Sequence, residues 1–120
     1  MTPEELKART KALSLRTLNL ANAIPRNAAG QIITRQIVRS ATSVGANYRA
    51  ACRAQSRSVF AAKLAIVSEE ADETLYWLEL LAESGLIPAS RLRALMKETE
   101  EILAIVTASR KTVKRAAGTR

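Results

Sequence analysis

Glu69, Glu70 and Glu73, together with Glu98, Glu100 and Glu101, superficially resemble the carboxylates that bridge metals inside a bundle. Such sites complete their ligand sets with His from Glu-x-x-His pairs. This chain has no His, so the commonest metal ligand and the usual general base near neutral pH are both missing. These acids therefore read as solvated or Arg-paired, and we expect no catalytic residue, no metal and no cofactor. Cys52 falls beside Tyr48 on an apolar face and has no His to activate it, so it reads as a small core residue rather than a nucleophile. A lone Cys cannot form an internal disulfide, which suits a reducing compartment. Ser43 and Asn47, four apart, are expected to hydrogen-bond across to the Glu69 region as part of a structural polar network with Arg39 and Glu73.

Charge is the second source of chemistry. From Arg35 to Arg57 the chain carries Arg35, Arg39, Arg49, Arg53 and Arg57 with no acid, whereas from Lys63 to Glu83 it carries Glu69, Glu70, Asp72, Glu73, Glu79 and Glu83 against that single base. The elements that hold these charges follow from the punctuation. Pro is scarce (3), Gly is scarce (4), and Ala, Leu, Arg and Glu dominate, so the class is all-α. Thr2-Pro3-Glu4-Glu5 supplies an N-cap, Pro in the first turn and a capping-box Glu, predicting a helix over 3–24 that Pro25 stops. After RNAAG, the apolar positions Ile33, Ile37, Ala41, Val44, Tyr48 and Ala51 or Cys52 share one face of a second helix. Ser56 or Ser58 caps a third, whose stripe is Phe60, Leu64, Val67, Ala71, Thr74, Leu78 and Leu81, and Gly85 with Pro88 ends it. The fourth begins near Pro88 and carries Leu92, Leu95, Thr99, Ile102 and Val106 inward. Short connections between amphipathic helices predict an antiparallel up-down-up-down four-helix bundle over 1–115, with 116–120 as a flexible basic C-terminal tail.

Helix three has apolar residues to spare. Ile66, Trp77 and Leu80 lie about 100° round from its core stripe, a second apolar face that predicts an oligomer interface anchored by Trp77, the alternative being that Trp77 stays at the margin of the core.

A turn centred near Ser56 sets Arg39 opposite Glu73 and Ser43 opposite Glu69, so Arg35 and Arg39 are expected to be neutralised. Arg49, Arg53 and Arg57 meet only Lys63 and the turn. Up-down topology brings the first helix's start and the fourth helix's end to the same place: residues 1–12, 49–63 and 107–120 together hold twelve bases, among them Lys7, Arg9, Lys11, Arg110 and Arg120, and two acids. All of the net charge of +8 is concentrated there. A basic pole of this kind favours a polyanion through counterion release, without sequence readout, and the residues expected to bind nucleic acid are Arg49, Arg53, Arg57, Lys63, Lys111, Lys114 and Arg115. The aromatic residues (1 Trp, 2 Tyr, 1 Phe) are too few for base stacking. The charged opening MTPEELKART and the lack of a long apolar run or lipidation motif predict a cytoplasmic protein with no membrane role. Two rivals are a structural or protein-adaptor oligomer with a protein partner, and an enzyme built on the carboxylates.

RSATSVGANYRAA, KLAIVSEEADETLYWLELL and ESGLI resemble the four-helix-bundle family named for proteins encoded in intervening sequences of bacterial 23S rRNA genes, which is itself similar to the accessory protein of diversity-generating retroelements. The likeness spans nearly the whole chain. Ser43-Val44-Gly45-Ala46-Asn47 and Glu73-Thr74-Leu75-Tyr76-Trp77-Leu78 carry it most specifically, and Ala50 departs from it where the family commonly has an acid. The resemblance implies a homopentameric ring with a basic, nucleic-acid-binding surface. In the retroelement relatives that ring accompanies a reverse transcriptase. No established biochemical activity is implied.

Overall fold

The computed structural model describes residues 1–118. It contains four helices in the order α1 (Pro3–Ala21), α2 (Ala28–Cys52), α3 (Arg57–Glu83) and α4 (Ala89–Gly118). The described residues form no strand, and no helix is long and apolar enough to cross a membrane. Each helix packs on its neighbours in sequence, and α1 touches α4 more sparingly to close the square. α1 and α3 therefore stand at diagonal corners.

The helix starts follow side-chain caps. Thr2, Asn27 and Ser56 accept the backbone N–H groups of Glu5, Gly30 and Val59, supplying partners that the first turn lacks. Asn27 shows that the RNAAG segment is the beginning of α2 rather than a break before it. α1 ends at Ala21, earlier than Pro25 alone would require, and the freed chain turns Ile24 into the core. At the end of α3, Gly85 adopts φ +77°, the left-handed conformation favoured by Gly, and Ile87 N–H reaches back to Leu81 O. α4 runs through residues 116–118; Thr119 and Arg120 of the expected tail lie outside the described residues.

The predicted stripes face inward. Ile37, Val44, Leu64, Val67, Leu78, Leu81, Leu92, Ile102 and Val106 are fully shielded, and Phe60 and Cys52 pack at the margin. Thr10, Thr17 and Thr99 are buried among them and turn their hydroxyls onto carbonyls one turn back, which removes the cost of an unpaired polar group. Small residues bring α1 and α2 close together. A Cβ on Gly45 would lie 3.2 Å from Thr10 O, and Ser14 Oγ reaches Ala41 O at 3.3 Å.

Candidate nucleic-acid interface

Antiparallel packing gathers the end of α2, the start of α3, the start of α1 and the end of α4 at one end of the molecule, and two grooves open there. Lys7, Ala8 and Lys11 on α1 with Gly45, Ala46, Arg49 and Arg53 on α2 line the first. Its floor is free of large side chains because Ala8, Gly45 and Ala46 sit between the cations. Glu4 also lines it, and pairs with Lys7 at 3.3 Å. The second, wider groove (≈ 850 Å³) lies between α3 and α4 and is lined by Arg57, Arg110, Lys111 and Lys114 around Ala61 and Val113.

Of the residues expected here, Arg49 and Arg53 fall in the α1/α2 groove, and Arg57, Lys111 and Lys114 in the α3/α4 groove. Lys63 and Arg115 line neither; Lys63 is half-buried and Arg115 exposed on the same end. Lys7, Lys11 and Arg110 complete the site. Up-down topology alone sets these three at this end, but they are not among the residues expected to bind. None of these cations except Lys7 forms an ion pair among the described residues.

The arginines nearer mid-bundle are bound up instead. Arg39 donates to Glu70 at 2.8 Å and to Glu73, and Glu73 also accepts Trp77 Nε1–H at 3.0 Å. The Trp77 hydrogen bond, then Arg39, holds the Glu73 carboxyl below the usual range, and Glu73 in turn raises Arg39. Arg9, expected at the basic end, is clamped by Glu98 at 2.5 Å and Glu101 at 3.2 Å across the α1/α4 seam. Its hydrogen bond holds Glu98 low as well. Arg35, expected to be neutralised, has no ion pair among the described residues. One turn along α3 from Glu73, the place an acid would need is occupied by Trp77.

The polar network differs from expectation in one further way. Asn47 Nδ2 donates to Ser43 O at 3.0 Å and Ser43 Oγ at 2.8 Å within α2, and neither bonds to Glu69. The 100° step per residue turns Glu69 to solvent and Glu70 to the α2 seam. Ser40 and Thr74 make the buried cross-link between the helices, at 2.9 Å. On the second apolar face of α3, Trp77 and Leu80 pack against the core while Ile66 is exposed. Tyr76, edge-on to Trp77 with ring centroids 5.2 Å apart, is exposed beside them. Among the described residues no three His, Cys, Asp or Glu come together in a metal-binding cluster. Tyr48 is buried beside Cys52, and burial first, then the thiol, holds its phenol well above the ordinary value.

The family model of the 23S rRNA-intervening sequence protein matches residues 4–108. No curated protein matches the chain. A crystal structure from Bacteroides thetaiotaomicron, of a protein of unknown function from the S23 ribosomal protein family, is 34% identical and superposes with a TM-score of 0.85 over 92% of this chain and 99% of that one. With the family model covering most of the bundle and a solved relative sharing its architecture end to end, this chain belongs to the 23S rRNA-intervening sequence protein family.

Proposed function

We propose that the protein is a non-enzymatic, cytoplasmic nucleic-acid-binding accessory protein that works as a homopentameric ring and holds the phosphate backbone of RNA or DNA at its basic end. The observation that carries this reading is the contrast in pairing. Arg9 and Arg39 are each clamped by two carboxylates, while Lys11, Arg49, Arg53, Arg57, Arg110, Lys111 and Lys114 converge on two grooves and form no ion pair among the described residues, the one acid there, Glu4, being paired with Lys7. Lys7 and Lys11, like Arg49 and Arg53, are one helical turn apart, about 6 Å along the axis. That interval suits successive phosphates of one strand, and the small residues between the rows allow the backbone to come close. Among the described residues the grooves offer no aromatic platform, so recognition is of the backbone and sequence preference is weak. The ring finds support in the apolar surface that a single bundle leaves exposed on α3.

A salt titration of binding to mixed-sequence RNA and duplex DNA tests this function. For duplex DNA the logarithm of affinity should fall with the logarithm of salt by about 0.9 per phosphate contact. A flat response, or no binding at low salt, removes the reading. A protein-adaptor role is favoured by one feature, the apolar Ala61 and Val113 in the floor of the α3/α4 groove, which suit a protein partner such as a reverse transcriptase better than a phosphate. Capture of such a partner with little dependence on salt would support it.

A further inference from the structure

Two exposed apolar stripes lie outside the basic grooves. On α1, Leu15 and Leu18 are 59% and 45% exposed and share a face. Exposed Lys11, at the edge of the α1/α2 groove, continues that stripe. On α3, Ile66 and Tyr76 are 37% and 53% exposed, and Glu69 and Asp72 stand exposed between them. Because α1 and α3 occupy diagonal corners, the stripes face away from each other and cannot meet within one bundle.

Their charges select the partner. Lys11 has no ion pair among the described residues, and neither do Glu69 and Asp72. A two-fold dimer with the paired helices parallel sets like charge on like, whereas head-to-tail contact sets Lys11 against the acids and the leucines against Tyr76, with Ile66 at the far end of the stripe.

Height along the bundle agrees. Ser14 bonds to Ala41 O, and the adjacent Ser40 bonds to Thr74, so Ser14 and Thr74 stand at nearly the same level. α1 and α3 run in the same direction. Lys11 is therefore within a turn of the level of Glu69, and Leu15 and Leu18 are within a turn of Asp72 and Tyr76. Copies arranged round an axis along the bundles keep these levels, so the stripes meet in register.

We propose that the Lys11, Leu15 and Leu18 stripe of α1 docks on the Ile66, Glu69, Asp72 and Tyr76 stripe of α3 of a second copy, head to tail, and that this contact closes the ring. The inference rests on the ring assembly of the proposed function, and goes beyond it by naming both halves of the contact. The test uses Leu15→Glu/Leu18→Glu and Ile66→Glu/Tyr76→Glu, weighed by light scattering, with circular dichroism to check helix content. Each variant alone should fall to the single-chain mass of 13.1 kDa. Mixed in equal amounts they should form a heterodimer and nothing larger, because each retains the half that the other lost. Exposed charges give a gentler pair: Lys11→Glu and Glu69→Lys should each weaken assembly, and the double variant should restore it. A wild type that stays single-chain at high concentration removes the ring itself. An assembled wild type whose mass survives Leu15→Glu/Leu18→Glu, or a mixture that fails to pair, overturns this contact while leaving the ring intact.

Discussion

Arg39 and Arg49 lie on the same helix and differ in almost everything except residue type. Arg39 stands level with two glutamates of α3 and forms bonds to both; Arg49 lies farther down, past the last acid of the facing helix, beside Lys7, Lys11 and Arg53. Level along the bundle, rather than residue type, decides whether an arginine holds the fold together or stays available to a ligand. Arg9 sharpens the rule. It belongs by sequence to the basic N-terminal segment, yet α4 presents Glu98 and Glu101 at its level, and the guanidinium turns to them.

The largest effect should come from reversing free charges. Arg49→Glu/Arg53→Glu should weaken nucleic-acid binding at least about 100-fold, taking roughly 1.5 kcal/mol per lost charged hydrogen bond, and thermal stability should change little. Arg39→Glu should do the opposite, leaving binding near wild type and lowering the melting temperature, because a new anion would face Glu70 and Glu73. Equal losses of binding from both variants would erase the distinction between the two regions. Fluorescence anisotropy across a salt series, with scattering to confirm assembly, reads both effects.

Gly45→Val should come next. Its side chain would press on the Thr10 backbone and force α1 outward, at a cost of about 1–3 kcal/mol by denaturant titration. It removes no charge, so weaker binding by this variant would show that the closeness of the two cation rows matters as well as their number.

Arg39→Ala and Arg9→Ala should each lower stability by up to about 1 kcal/mol, since both pairs are partly open to water.

The smallest effect is on pH dependence. Glu73 and Glu98 titrate below their ordinary 4.5 when folded, so each contributes stability that is fully present above that value and lost as pH falls through the lowered one. Arg9→Ala should flatten the acid limb of the stability curve there, and Arg39→Ala should do so less, because the Trp77 hydrogen bond still holds Glu73. An unchanged limb would mean that these carboxylates are not held by their arginines.

Much of this layout was legible in the sequence because neighbouring helices obey simple rules. The stripe from Ile33 to Ala51 and that from Leu64 to Leu81 are core faces as their spacing requires, and folding the chain about Ser56 brings Arg39 to Glu73. The rule lacks angular resolution: it points to Glu69, but the rotation of α3 delivers Glu70. It also has no reach between helices that are not consecutive. The Arg9 clamp joins α1 to α4, and nothing in the order of residues specifies how far one slides along the other. Trp77 carries a third kind of ambiguity, since an indole can pack on the core with one edge and reach a carboxylate with its N–H, as it does here.

The last turns of α4 run beyond the level of α1, because Arg9 already meets Glu98 and Glu101 while the helix continues past Lys114 along the start of α3. They carry Arg110, Lys111, Lys114 and Arg115 at spacings of three and four, where like charges repel by about 0.2–0.5 kcal/mol per pair. A bound polyanion relieves that repulsion as it gains its own contacts. If the proposed binding holds, it is thermodynamically linked to helix order: amide hydrogens of these turns should exchange quickly in the free protein and slow on complex formation, and part of the binding heat should be the heat of winding the helix.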